Sequence, residues 1–294
     1  MIRIAFPEDP RAARTTDGGL AASRPQLSAT RTQADTRYAM IQDLRNILDG
    51  WEYEPGKISV RKIIGCDGRE KIQTRVDLGL LQLEPEGRPD GRRPYGCDSM
   101  LTFFEMRLQE YVAKNGSDEG FVLLAEDCRD LRHETHLNYQ RYLSLFVLEE
   151  YDGVERDTER NLRLIELCRR YAETEYDRDA LESQWPYVMM MYTRAKVYQA
   201  MQSCRYETAL VLLERGTAKL LEWEADEEKS ESESVTAELE VLESLRQEVL
   251  EQMPAGAVPR LRWELNDALA REDFERAAAL RDKLSALRRD EDAV

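Results

Sequence analysis

At 294 residues with 42% apolar side chains, the chain is long enough for about two domains and a core of ordinary size. Its 42 basic against 58 acidic residues leave a net charge of −16, which repels phosphate backbones and disfavours direct nucleic-acid binding by the chain as a whole. No run of about 18 apolar residues is present to span a bilayer, and the opening residues lack the apolar stretch of a signal peptide. The expectation is a cytoplasmic protein with no membrane partner.

Residues 1–36 are rich in Ala, Arg, Thr, Ser, Pro and Gly without a sustained hydrophobic period, which predicts a disordered leader or a mis-assigned start. Residues 37–97 read as a small α+β part. Met40, Ile41, Leu44, Ile47 and Leu48 recur at helical spacing before the stop Asp49-Gly50. The β-branched runs Ile58 to Ile64 and Ile72 to Leu78 flank the turn Gly65-Cys-Asp-Gly68 and predict a β-hairpin, its second strand extendable to Leu83. The stretch Pro85 to Gly96 is too dense in Gly and Pro for helix or strand.

Residues 98–224 read as a helical array opened by Asp98 as a cap. Stops near Asn115–Asp118, Asp152-Gly153, Asp177–Asp179 and Cys204–Tyr206 divide it into five helices. Tyr192, Ala195, Tyr198, Tyr206, Ala209, Leu213 and Gly216 recur as in a tetratricopeptide (TPR)-like helix pair, where small residues let two helices approach and aromatics fill the gap. Residues 225–259 combine an acidic linker, an amphipathic helix on Leu239, Leu242, Leu245 and Val249, and a Pro/Gly hinge from Met253 to Pro259.

Residues 260–290 carry two apolar stripes at helical period, Leu261, Leu265, Ala268 and Leu269, then Phe274, Ala277, Ala278, Leu280, Leu284 and Leu287, with Asp273 placed to cap the second helix. Two helices this short bury too little surface alone, so a further helical hairpin is the expected cover. The run from Ala268 to Leu284, with its Glu-Asp-Phe-Glu, paired alanines and Leu-Arg-Asp, resembles the UVR (UvrB/UvrC) motif. The resemblance implies a docking hairpin. In that family it joins excision-repair subunits, and it recurs in the activator of a bacterial protein-arginine kinase and in adaptors of Clp-type unfoldases. Leu265, Leu269, Phe274, Ala277, Ala278, Leu280, Arg281 and Leu284 are then the partner-binding candidates, with Phe274 and Leu280 as expected anchors.

The motif comes without the bodies that accompany it elsewhere: no GxxxxGK[ST] phosphate loop is present, and the five cysteines lie 31 or more residues apart, so no paired zinc ligands or redox couple exist. The only histidines, His133 and His136, stand one helical turn apart near Glu126, Asp130 and Glu134, a constellation short of HExxH that leaves a metal-dependent enzyme as a rival reading. Arg88, Arg92 and Arg93 could collect an anion, or could be solvated turn residues. Trp185 to Tyr192, rich in Met and aromatics, fits either a buried helix or an adaptable groove.

The expected fold is therefore mostly α, with a small α+β part, a TPR-like array and a C-terminal hairpin. The expected function is a non-enzymatic adaptor or scaffold, without catalytic, metal or cofactor residues, that docks a Clp-type unfoldase, a kinase or a repair subunit, or pairs with itself. A DNA-repair accessory that recruits an excision nuclease is the alternative within the binding class.

Overall fold

A computed structural model describes residues 43–225, 234–254 and 256–291. The leader 1–36, the apolar positions Met40 and Ile41, and most of the acidic stretch lie outside the described residues. Helix α1 (Arg45–Leu48) closes at Asp49, and Gly50 takes the left-handed backbone (φ +70°) that the stop required.

Strands β1 (Ser59–Ile64), β2 (Glu70–Val76) and β3 (Gly79–Leu83) form an antiparallel sheet in that order. The second strand does not run on to Leu83: the chain reverses at Asp77-Leu78, where Leu78 is 94% exposed, and β3 pairs back with Ile72 opposite Leu83. Alternation puts Val60, Ile72, Thr74, Leu81 and Leu83 on one face. That face packs on the helices through buried Ile72 and Leu83 and through the hydroxyl pair Thr74–Ser144 at 2.6 Å. The other face carries Arg61, Lys71, Gln73, Arg75 and Gln82 among its side chains, and Trp51 packs at its edge with its ring 4.0 Å from Arg61.

Six helices, not five, follow among the described residues: α2 (Met100–Asn115), α3 (Ala125–Val147), α4 (Tyr151–Tyr171), α5 (Glu175–Glu182), α6 (Trp185–Gln202) and α7 (Tyr206–Glu224). Ser99, not Asp98, caps α2, its side chain accepting from the Thr102 amide. The stop expected at Asp152-Gly153 falls earlier, at Leu148–Glu150, and Gly153 lies inside α4 because Leu145 packs where a Cβ would stand (2.8 Å). Asp177–Asp179 is helical as well. Thr174 caps α5 by accepting from the Asp177 amide, and the break precedes it.

Helix α6 is the centre of the array, packed between α4 and α7 and touching α8 (Thr236–Gln252). Val188, Met189, Met190 and Met191 are all buried, so the methionine run is core. Against it, Gly216 of α7 sits so close to Thr193 that a Cβ there would meet Oγ1 and Cγ2 at 2.4 Å. Ala195 and Ala209 are fully buried in the same seam. One core runs from Ile72 and Leu83 of the sheet through Tyr142, Met191 and Leu213 to Val249 of α8. A second, around Phe104, Leu131, Leu164 and Leu181, joins α2 to α3, α4 and α5. No helix among the described residues is long and apolar enough to cross a membrane.

Candidate functional site

Helices α9 (Val258–Ala270) and α10 (Phe274–Glu291) pack as the C-terminal hairpin. Pro259 sits in the first turn of α9, where its missing N–H costs no helical bond. Leu261, Ala268, Ala277 and Leu280 are buried between the helices, with Leu265, Leu284 and Leu287 packed around them. The turn is tight: Glu272 adopts left-handed φ (+60°), the Asp273 amide donates to the Ala268 carbonyl at 2.9 Å, and Asp273 Oδ1 accepts from the Arg276 amide at 3.1 Å.

This packing separates the eight candidates. Ala277 and Leu280 (5% exposed each) are the hairpin's own core, and Leu265 and Leu284 are half-buried beside them. Phe274 is 68% exposed and Leu269 49% exposed. Ala278 and Arg281 are exposed at four and seven residues beyond Phe274, so Phe274, Ala278 and Arg281 form one outward stripe on α10. Of the two expected anchors, Phe274 is available to a partner and Leu280 holds the hairpin together.

Sequence reasoning missed Arg260. Its guanidinium donates to the carbonyls of Glu251 (3.0 Å) and Met253 (2.5 Å) at the end of α8 and pairs with Glu264 at 3.0 Å. Met253 is itself buried. The Pro/Gly hinge is therefore clasped, and the last carbonyls of α8 receive the donors that a helix terminus lacks.

In the Pro85–Gly96 loop, the three arginines have different surroundings. Arg88 is 9% exposed; it pairs with Asp90 (3.1 Å) and Glu134 (3.4 Å) and reaches His133 Nδ1 at 3.2 Å. Arg92 and Arg93 are exposed, facing Asp90 at 3.9 Å and Asp98 at 2.8 Å. The loop is fastened by α3 and α4: Arg141 donates to the Glu84 carbonyl, Arg156 to that of Pro85 and Arg160 to that of Gly87.

The two histidines do not converge. His133 meets Arg88, whereas His136 lies 3.3 Å from Gln140 and stacks near Tyr139, its pKa lowered by burial and by His133. Glu134 between them accepts the amides of Met100 (2.7 Å) and Leu101 (3.2 Å), so it neutralises the N-terminus of α2. Among the described residues no group of three or more His, Cys, Asp or Glu is placed to hold a metal ion.

No curated protein and no solved structure matches this chain. Residues 258–290, which span α9, the Glu272 turn and nearly all of α10, match the UvrB/uvrC motif.

Proposed function

We propose that the chain is a non-enzymatic adaptor that captures a partner protein on the outward face of the α9–α10 hairpin. The observation that carries this reading is Phe274, 68% exposed beside the 49% exposed Leu269 on a helix pair whose own core is already filled. An aromatic of this size left in water, on one helix stripe with Ala278 and Arg281, has the composition of a binding hot spot. The match to the UvrB/uvrC motif supports protein docking as the use of that face.

The partner we favour is a Clp-type unfoldase, with the helical body holding whatever is to be delivered. The net charge of −16 speaks against the chain itself gripping DNA. The site of action is the cytoplasm.

The test is binding of the purified full chain to a Clp-type unfoldase, to a protein-arginine kinase and to excision-repair subunits, measured beside the Phe274→Ala variant and a chain ending at Met253. Binding to the unfoldase that falls at least about 10-fold in Phe274→Ala supports the reading, since hot-spot truncations cost more than about 2 kcal/mol. Binding to repair subunits alone establishes the accessory role instead. Binding that survives both changes removes the hairpin from consideration.

A further inference from the structure

Between the Pro85–Gly96 loop, the start of α2 and the middle of α3 lies a cavity of about 440 Å³, lined by Arg88, Arg92, Arg93, Tyr95, Asp130 and His133 together with Pro94 and Met100. Its lining carries three guanidiniums and one carboxylate, Asp130, while Asp90, Glu134 and Asp98 pair with those arginines from outside the lining. We propose that this cavity binds a phosphate monoester whose aromatic or heterocyclic ring lies on Tyr95.

Three guanidiniums and an imidazole share the lining of the cavity. Arg88 is 9% exposed and forms part of the wall, its Nε facing Asp90 at 3.1 Å and its Nη1 facing Glu134 at 3.4 Å. Its Nη2 reaches His133 Nδ1, which leaves the Nε2 of that exposed imidazole as the proton-bearing donor. Arg92 and Arg93 stand at the rim with their heads in water, 83% and 68% exposed, and their pairings with Asp90 and Asp98 are solvent-screened contacts worth little. Both can exchange those carboxylates for phosphate oxygens, which accept the guanidinium fork in bidentate fashion.

The carboxylates that face this assembly are accounted for. Glu134 is occupied by two α2 amides and by Arg88, Asp90 accepts the Arg92 amide at 3.1 Å, and Asp98 lies outside the lining. Asp130 remains as the one acceptor in the wall, suited to a hydroxyl or amino group of the ligand.

Tyr95 supplies the ring platform. Its backbone is left-handed (φ 51°, ψ 26°), a strained conformation for a residue with a Cβ, and this sets its ring flat on Phe103 at 4.1 Å and 16° while the side chain stays 70% exposed. One face is thus held by protein and the other is open to a second ring. The loop that presents all this is preorganised, because the carbonyls of Glu84, Pro85 and Gly87 are held by Arg141, Arg156 and Arg160. A volume of this size lies within the range of small-molecule sites, about 300–1,000 Å³.

The test is calorimetric titration of the full chain with adenosine 5′-monophosphate, adenosine and inorganic phosphate, repeated on Arg92→Gln/Arg93→Gln and on Tyr95→Ala. Both variants alter exposed side chains, and circular dichroism confirms that they fold. The expected result is one saturable site for the monophosphate, weakened roughly 10-fold or more by loss of the two guanidiniums, with adenosine much weaker. Tyr95→Ala should weaken the monophosphate and leave inorganic phosphate unchanged. Absence of saturable binding by both phosphate compounds, or binding indifferent to Arg92→Gln/Arg93→Gln, overturns the proposal. Equal binding of adenosine and its monophosphate overturns it too, and phosphate binding with no effect of Tyr95→Ala on the monophosphate overturns the ring platform.

Discussion

Arg141 and Asp157, on adjacent helices α3 and α4, form a two-pronged ion pair at 2.6 and 2.7 Å with no exposed surface on either side chain. Arg141 spends its remaining nitrogen on the Glu84 carbonyl at 3.0 Å, so one guanidinium ties both helices to the loop. Arg156 also donates to Asp157 at 3.0 Å, which satisfies the carboxylate further.

Removing Arg141 leaves the buried Asp157 with Arg156 as its one hydrogen-bonded cation, and that is more damaging than removing both members of the pair. Arg141→Met should therefore cost about 3–5 kcal/mol of stability in urea unfolding, whereas Arg141→Met/Asp157→Leu should recover much of the loss. The single variant should also become susceptible to trypsin within the Arg88–Arg93 stretch. Unchanged proteolysis would mean that the loop is held without Arg141.

Gly216 against Thr193 sets the spacing of α6 and α7. Gly216→Ala introduces a Cβ at 2.4 Å from two Thr193 atoms, and overpacking of this kind costs about 1–3 kcal/mol. Thr193→Ala in the same chain removes both of those atoms and leaves a 2.9 Å approach to Cβ, so the double variant should be more stable than Gly216→Ala. Thermal denaturation of the three variants measures the coupling directly.

The hairpin separates the side chains that hold it together from those on its outward face. Leu280→Ala opens a cavity in a core of only a few side chains, and a loss of about 2–5 kcal/mol is large for two short helices. Amide exchange in α10 should accelerate strongly in that variant. Phe274→Ala should leave the exchange rates as they were, because its ring is 68% exposed.

Asp177 joins α5 to α3 through Arg132 at 2.5 Å and accepts the hydroxyl of Thr174, the α5 cap, at 2.8 Å. Burial pushes its pKa up, but the Arg132 and Thr174 hydrogen bonds and the Arg132 charge outweigh that and hold it below its ordinary 3.8. The unfolded chain then takes up the proton first. The stabilisation from Asp177 is complete above the ordinary carboxylate value and is lost as pH falls through the lower folded value. Asp177→Asn should be less stable than the parent at pH 7, with the difference shrinking in acid; a constant difference would show that the charge is not responsible.

The parts legible in sequence are those that local chemistry decides. Leu261, Ala268, Ala277 and Leu280 repeat at helical period, and Asp273 occupies the cap position that its side chain then uses. The third strand was hidden because Leu78-Gly-Leu-Leu-Gln-Leu83 has leucine at four of its six positions and reads on from the second strand, and the exposure of Leu78 follows from the turn rather than from its side chain. The break before α5 fell on Ala172-Glu-Thr174, residues compatible with a helix, while the polar Asp177–Asp179 that suggested a break lies in the first turns of α5. Arg141 and Asp157 read as charges on an amphipathic helix, normally solvated. Their pairing joins residues 16 apart across two helices, and no periodic pattern marks it.

The Arg260 clasp has a mechanical meaning. A load applied at Phe274 passes along the hairpin into α9, and at its base meets the carbonyls of Glu251 and Met253 through one guanidinium. Those carbonyls terminate α8, whose Leu242, Leu245 and Val249 lie in the main core. The last turn of α8 thus shares the load of the tail: traction on the hairpin is borne by two hydrogen bonds from Arg260 as well as by the chain that links α8 to α9.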